Sequence, residues 1–589
     1  MPSRVEREGA ADRALQWVVD HLPRFTAVDE DGTPASSPSK PLIELAIMAW
    51  CRHGCRGSSA LPSPLVDLLR TSAAAPAVHD ARVVGRVELV AQAFLYAVLA
   101  QLGHEDAQVA QRIQQAVDAG LLDATERTPH HMMEERLCLE LGSFTADLPP
   151  WATLLERSVL GHTPPTAHLR EVAAYQVTHV VLFLTAFGTR APPAPIERAK
   201  VAGLLAELLV VCAADEHWDL VGELLLCWEA LQLGDHAIVA RSWRILLDQQ
   251  SDDGSFPGPK PPTANEPTDQ ADRFAARYHT TLVVIMAVAA HVRDQSAGRP
   301  APPGRHPRTA SDRDAQWLAG LLDRRPADDR DRPVIAGRVL VGISACLALG
   351  STDRSTLDSV TDRVAEQLSA VDDWIAVPAA LSIAVYGLLQ DRSCEVATLS
   401  SFVDVLVAAL DATPATDALA DLALCEKRVM LHHLGRVGGP VLAAASDVES
   451  AAAALPASPS TPDLDTLLRT VESATAHGTS SHPPVEPWVG ELLAAHAAWA
   501  LRRYDLPLTG RLLRSAHHLG SAAPIDVLVA QRRHSGGFGY FGAQQSAVRA
   551  AVGQRFDVDV DLLLPVTVAC LQTMAEVTTS WRLCGSRRA

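Results

Sequence analysis

An all-α fold of two tandem (α/α)6-type rings is predicted by three observations. Apolar residues make up 48% of the 589-residue chain while aromatics make up only 5%, and Ala and Leu are abundant, a composition that favours packed helices over sheets. The first half breaks into twelve stretches of helical apolar spacing, and twelve helices pair into the six hairpins that close one ring. Segments of the first half then recur, in the same order, in the second.

The twelve stretches are separated by Gly-, Pro- and Asp-rich turns. They run near Ala14 to Leu22, Pro41 to Arg52, Leu65 to Arg70, Val83 to Leu102, Ala107 to Ala119 and Met132 to Leu141. The rest follow near Trp151 to Val159, Leu169 to Phe187, Ile196 to Ala213, Trp218 to Leu233, His236 to Gln249 and Arg273 to Arg293. His236 to Gln249 alternates apolar and polar groups at helical spacing and suits an outer layer. Val180 to Leu184 and Leu282 to Ala290 are apolar all round and suit an inner one. An open solenoid of hairpins would give the same two layers.

Between Gln295 and Gly304 the chain is rich in Pro and Gly, which reads as an interdomain linker over 298–309. The expected domains are 1–297 and 310–585. Asp12-Arg13-Ala14-Leu15-Gln16-Trp17 recurs as Asp312-Arg313-Asp314-Ala315-Gln316-Trp317, and Val221-Gly222-Glu223-Leu224-Leu225 as Val489-Gly490-Glu491-Leu492-Leu493. The Gln250-to-Phe256 turn recurs around Gln531 to Phe538, again before an apolar helix. Within the second domain, 456–487 is Pro/Ser/Thr-rich and is expected to be a loop.

The net charge of −18 argues against nucleic acid, which requires a clustered basic face. No apolar run reaches the length of about 18 residues that spans a bilayer, and no signal-type core follows the charged start. Cys212, Cys227, Cys346 and Cys570 sit in apolar helical patterns, as reduced core thiols of a cytoplasmic protein do.

Three inner-type stretches of the first half open on polar groups: Tyr175-Gln176-Val177-Thr178-His179, Glu216-His217-Trp218-Asp219 and Tyr278-His279-Thr280. In a ring of antiparallel hairpins the inner helices run the same way, so these ends gather at one mouth. His179, Asp219 and His279 would then converge, and two imidazoles with a carboxylate are a ligand set of catalytic zinc. Glu223 shares a helix face with Asp219 and is placed as a general base or a support for a ligand. Tyr175 and Tyr278 are candidate acids or hydrogen-bond donors, and Trp218, Glu216 and Asp253 candidate substrate contacts. A histidine at a cavity mouth is expected to add little to core packing. The bland alternative is that each of these groups caps a helix or sits satisfied in the core. In the second half, ungapped alignment on the shared Val-Gly-Glu-Leu-Leu puts Pro487 opposite Asp219, and Asp561 or Leu562 falls where His279 stands.

A glutamine-ended helix, an Asp-Gly turn followed by Phe256, and Tyr278-His279-Thr280 together resemble the repeat unit of the terpenoid-cyclase and protein-prenyltransferase toroids. In prenyltransferases a histidine in such a Tyr-His-Thr context is a zinc ligand, so the resemblance implies a metal role for His279. The chain departs from that family in lacking an Asp-x-Cys element beside Asp219. Asp557-Val558-Asp559-Val560-Asp561 resembles the acidic motif of class II terpene cyclases without its adjacent Asp pair. Trp50-Cys51-Arg52-His53-Gly54-Cys55 is similar to zinc-binding elements of lanthionine cyclases, and a surface cysteine pair is the plainer expectation. The segments 175–188, 218–225 and 278–283 also resemble a bacterial helical domain of unassigned chemistry found near natural-product pathways.

The expected function is that of a cytoplasmic biosynthetic enzyme using zinc or a bare His/Asp cluster, without a nucleotide cofactor, for cyclisation, elimination or group transfer. Its substrate would be a small molecule or peptide, with no nucleic-acid or membrane partner, and a homodimer is the expected assembly. The alternative is a non-catalytic double-toroid protein that holds a peptide or carrier-protein partner.

Overall fold

The structure is a computed structural model that describes residues 2–25, 40–56, 61–73, 85–259 and 270–291 of the first half. In the second half it describes 312–322, 331–349, 354–371, 377–390, 396–411, 442–475, 484–532 and 563–579, with a few single positions between. The chain divides into two compact units, Met1–Pro302 and Pro303–Ala589. Both are helical, and among the described residues the only β-type pairing is one isolated bridge, His217 to Pro259. The linker expected over 298–309 lies outside the described residues.

The first unit holds α1 (Arg4–Asp20), α2 (Lys40–Arg56), α3 (Ser63–Ala73), α4 (Arg86–Gln101), α5 (Ala107–Asp118), α6 (Pro129–Leu141) and α7 (Trp151–Arg157). It continues with α8 (Val159–His162), α9 (Glu171–Thr185), α10 (Arg198–Ala214), α11 (Trp218–Ala230), α12 (Ala237–Leu247) and α13 (Gln270–His291). Six of these touch in a closed sequence: α2 on α4, α4 on α6, α6 on α9, α9 on α11, α11 on α13, and α13 back on α2. The helices between them in the chain pack on members of that sequence, with α1 on α13, α3 and α5 on α4, α7 on α6, α8 on α9, and α10 and α12 on α11.

Residue pattern decides which helix takes which place. Every residue of α11 is buried, whereas α5 buries only Val109 and Ile113 and turns its glutamines outward. Gly222 lets α11 and α13 approach, because a Cβ there would stand 3.1 Å from Val283 Cγ1. Gly222→Val is therefore expected to cost about 1–3 kcal/mol by overpacking. Val283→Ala in the same chain should recover part of that loss in denaturant unfolding, and no recovery would place the strain elsewhere.

The far ends of α11 and α13 are held by a second polar knot. His291 Nδ1 meets Glu229 Oε2 at 2.8 Å and its Nε2 meets Arg7 Nη2 at 2.7 Å, while Trp243 donates to Glu229 Oε1 at 3.1 Å. Buried polar groups cost several kcal/mol unless paired, and this knot pairs Glu229 and Arg7 while anchoring α1. The polar turn before α13 has a similar mechanical role. Gln250 Nε2 donates to Ala10 O and Gly254 O, each at 2.9 Å, and Phe256 N donates to Thr281 Oγ1 at 3.0 Å.

The second unit comprises α14 (Asp312–Leu321), α15 (Arg332–Ala348), α16 (Arg354–Ser369), α17 (Ala379–Gln390), α18 (Ala397–Asp411) and α19 (Ala445–Ala454). After them come α20 (Thr461–Ala474), α21 (Pro487–Arg502), α22 (Leu506–His518), α23 (Asp526–Val529) and α24 (Leu564–Thr578). α24 packs on α15 and α22, and α22 also packs on α20 and α21. The loop expected over 456–487 is corrected by α20 at its centre. Ser460 and Asp463 form a capping box there, Pro462 sits in the first turn where its missing N–H costs nothing, and Leu464, Leu467, Leu468 and Val471 bury one face. The Pro/Ser/Thr composition therefore marks a helix start. The acidic run Asp557 to Asp561, and Leu562, lie outside the described residues.

Inside this unit Glu576 of α24 is buried, with His518 Nε2 at 3.3 Å and Arg514 Nη1 at 3.4 Å. Burial raises its pKa, but the Arg514 charge and the His518 contact outweigh that and bring it down to about 2. A carboxyl with a depressed folded pKa adds stability above its unfolded value and loses it as pH falls. Glu576→Gln should thus cost about 2–4 kcal/mol at neutral pH, and the deficit should shrink steadily between roughly pH 4.5 and pH 2. A deficit that stays constant over that range in acid titration would show that the charge is not what stabilises the unit.

Candidate metal centre

The first unit's closed sequence of helices places buried ionisable groups in the N-terminal halves of adjacent members. Asp219 and Glu223 stand one turn apart on α11, and are 5% and 3% exposed. Carboxylates so deep require partners. His279 of α13 supplies one for both, its Nε2 lying 3.2 Å from Asp219 Oδ1 and 3.2 Å from Glu223 Oε1. These three atoms lie within 4.8 Å of one another and together could hold a metal ion.

The remaining atoms of the three side chains are each fixed by a neighbour. Glu44 of α2 meets His279 Nδ1 at 2.9 Å through Oε2. The Tyr175 hydroxyl, from α9, donates to Asp219 Oδ2, and the Thr178 hydroxyl one turn on donates to Glu223 Oε2. That leaves Asp219 Oδ1, ion-paired with His279 but without a hydrogen bond, facing one point with Glu223 Oε1 and His279 Nε2, which are hydrogen-bonded to each other at 3.2 Å. An outer partner on each ligand, the inner atoms converging, is how protein metal sites are built, and carboxylate-to-imidazole support is its most frequent form.

Without a metal the cluster carries a proton. Burial disfavours the His279 imidazolium, yet hydrogen bonds to Glu223 and Glu44 and the charge of Asp219 hold its pKa well above the ordinary value. Burial likewise pushes Glu44 and Glu223 up, and their contacts with His279 bring both below the usual carboxylate range. Asp219 is raised, chiefly by burial. Burial and the adjacent Asp219 raise the Tyr175 phenol, so Tyr175 serves as a standing hydrogen-bond donor. The Tyr278 phenol is raised by burial and by Glu44, and its ring stacks on Phe274 with centroids 5.2 Å apart.

His179 lies beside this group, its Nε2 4.0 Å from Glu223 Oε1, and is 39% exposed. The tight set is therefore Asp219, Glu223 and His279, with Glu223 in the place that sequence reasoning gave to His179. Trp218 is buried as the first residue of α11. Glu216 occupies the turn before that helix at φ 55°. Asp253 Oδ1 accepts from Ser255 N at 2.9 Å and Ser255 Oγ at 2.7 Å, so it closes its own turn. Cys51 is buried and donates to Phe187 O at 3.2 Å, correcting the surface cysteine pair expected around Trp50. Among the described residues no helix is long and apolar enough to cross a membrane.

Sequence reasoning missed Glu44, Thr178 and the histidine pair His130 and His131 that opens α6. Glu44 had a visible signal, being the only acid in the otherwise apolar and basic α2. No curated protein and no solved structure matches the chain significantly. A family model described as a domain of unknown function, DUF6895, matches residues 11–289, a span that contains every residue of this centre.

Proposed function

We propose that the first unit is an (α/α)6 toroid enzyme domain that holds a zinc ion through Asp219, Glu223 and His279. The observation that carries this reading is the convergence of three donor atoms whose partner atoms are already tied to Tyr175, Thr178 and Glu44. The closed sequence of six packed helices, alternating along the chain with helices that pack on it, supports the toroid. When bound, the ion supplies a Lewis acid able to polarise a carbonyl or similar group. Glu44 fixes the His279 proton on Nδ1 and leaves Nε2 as the donor. Tyr175 and Thr178 hold the two carboxylates in place, and the exposed His179 borders the side from which a substrate arrives. That constellation suits cyclisation, elimination or group transfer on a small molecule or peptide in a cytoplasmic biosynthetic step.

Elemental analysis of the full chain, purified without metal-chelating resin, tests it. About one equivalent of a divalent metal is expected per chain, and Glu223→Gln should remove most of it. A metal-free chain that takes up no added zinc at micromolar concentration would refute the metal reading.

The second unit favours a further reading, in which the chain is a duplicated binding scaffold. Phe538 N donates to Thr567 Oγ1 at 2.8 Å, as Phe256 N does to Thr281, and a Cβ on Gly510 of α22 would crowd Thr573 as one on Gly222 crowds Val283. His518 to Glu576 also mirrors Glu229 to His291 with the residues exchanged. This register pairs α22 with α11, in place of the α21 segment Val489 to Leu493 that the sequence match picks out. Placing Gly510 opposite Gly222 sets Pro507 opposite Asp219 and Arg511 opposite Glu223. Arg511 is bound to Glu472 at 2.6 Å and to Asp465 at 2.5 Å, an arrangement with no room for a cation. One metal per chain fits a catalytic first unit, and none fits a scaffold throughout.

A further inference from the structure

We propose that the mouth of the first unit binds an anionic group of the substrate, a carboxylate or a phosphate, on the imidazoles of His130, His131 and His179 beside the metal cluster. The inference deepens the proposed site, and relies on that reading only for the adjacent metal.

The three rings form a continuous run. His130 and His131 open α6 with ring centroids 4.1 Å apart, and the His130 ring lies 6.4 Å from that of His179 on α9. His179 in turn comes within 4.0 Å of Glu223. Thr128 Oγ1 meets His130 Nδ1 at 2.8 Å and His131 Nδ1 at 3.1 Å, and its one proton goes to one of them, whose Nε2 then carries the ring N–H and can donate to a ligand. All three side chains are only partly buried, so a ligand can reach them.

Arg86 of α4 stands close enough to oppose protonation of both His130 and His131. Its own guanidinium is bonded to Glu135 at 2.7 Å. Burial first, then the neighbouring imidazoles and Arg86, bring His130 down to about 4, and His131 is lowered for similar reasons. Glu134, one turn along α6, is pushed up to about 7 by burial, so that it is only partly ionised at neutral pH. An anion entering here meets a ring N–H, with Arg86 nearby and the N-terminal dipole of a 13-residue helix adding to it. Past His179 lie Glu223, at 4.0 Å, and with it His279 and Asp219. A substrate would therefore lie with its anion toward α6 and its reacting group toward the metal cluster.

Calorimetric titration of the zinc-loaded full chain with inorganic phosphate and with succinate tests the inference. At least one should bind at submillimolar concentration, and which one does separates a phosphate substrate from a carboxylate one. His130→Asn with His131→Asn should weaken that binding at least tenfold with zinc content unchanged. Neither anion binding, or equal affinity in the double variant, would overturn the proposal, since the anion would then rest on the metal alone. If the double variant does not fold, the ring-nitrogen chemical shifts of the parent chain decide: movement of His130 and His131 on adding the anion supports the site, and unmoved signals overturn it. Zinc uptake with no imidazole response defeats this inference and leaves the metal reading standing. Anion binding on these imidazoles in a chain that takes no zinc does the reverse.

Discussion

His279→Ala should cost the metal-free first unit about 3–5 kcal/mol, the range seen when one partner of a buried ion pair is removed. Sequence reasoning placed this histidine at a cavity mouth, where replacement is cheap. The geometry reverses that expectation, because Glu44, Asp219 and Glu223 all rest on one imidazolium. Deleting it leaves Asp219 and Glu223, both almost fully buried, without their cation, and leaves Glu44 with only Lys40 at 3.5 Å. The variant should also lose nearly all affinity for a divalent ion. Adding Glu223→Gln to His279→Ala removes one of the stranded charges and should restore part of the stability while restoring no metal binding. Denaturant unfolding of the metal-free full chain reads the first unit's transition. A loss below about 0.5 kcal/mol, the scatter typical of surface substitutions, would mean that water reaches the cluster freely.

How much of this was legible before the structure depends on the kind of signal each residue carried. The helical class was plain because apolar spacing fixes it locally, and α11 and the Leu282–Ala290 part of α13 stand out as buried since they are apolar nearly throughout. Asp219, Glu223 and His279 were visible for the same reason, as ionisable groups interrupting such helices. The Glu44 partner was not visible, since His279 and Glu44 are 235 residues apart and only packing of α2 on α13 joins them. His179 and Glu223 exchanged places because helical spacing gives a face but no depth. Glu223 has its carboxylate in the core, and His179, over a third exposed, stands outside. Asp253 satisfies one carboxylate oxygen within its own Asp-Gly turn, a local role that the turn sequence carries.

Zinc affinity of the full chain should rise about tenfold per pH unit through the neutral range, because binding must displace one proton from His279. A pKa raised in the metal-free fold means the proton stays bound to higher pH, and below that pKa each unit of pH increase weakens its competition by a factor of about ten. Glu44 enters this balance twice. It helps hold the proton on the metal-free imidazole, and it supports the imidazole through Nδ1 when Nε2 is a ligand. Glu44→Gln should therefore lower zinc affinity about 10- to 100-fold at the alkaline end, the usual effect of removing a carboxylate behind a ligand histidine. At lower pH the same change also weakens the competing proton, so the curves of parent and variant should converge as pH falls. Competition titrations with a zinc-responsive dye over several pH values read both slopes. A pH-independent affinity would show that His279 is not the ligand that must lose a proton. Parallel curves would show that Glu44 supports the metal-bound imidazole without holding the proton, and would leave Asp219 and Glu223 as the groups that set it.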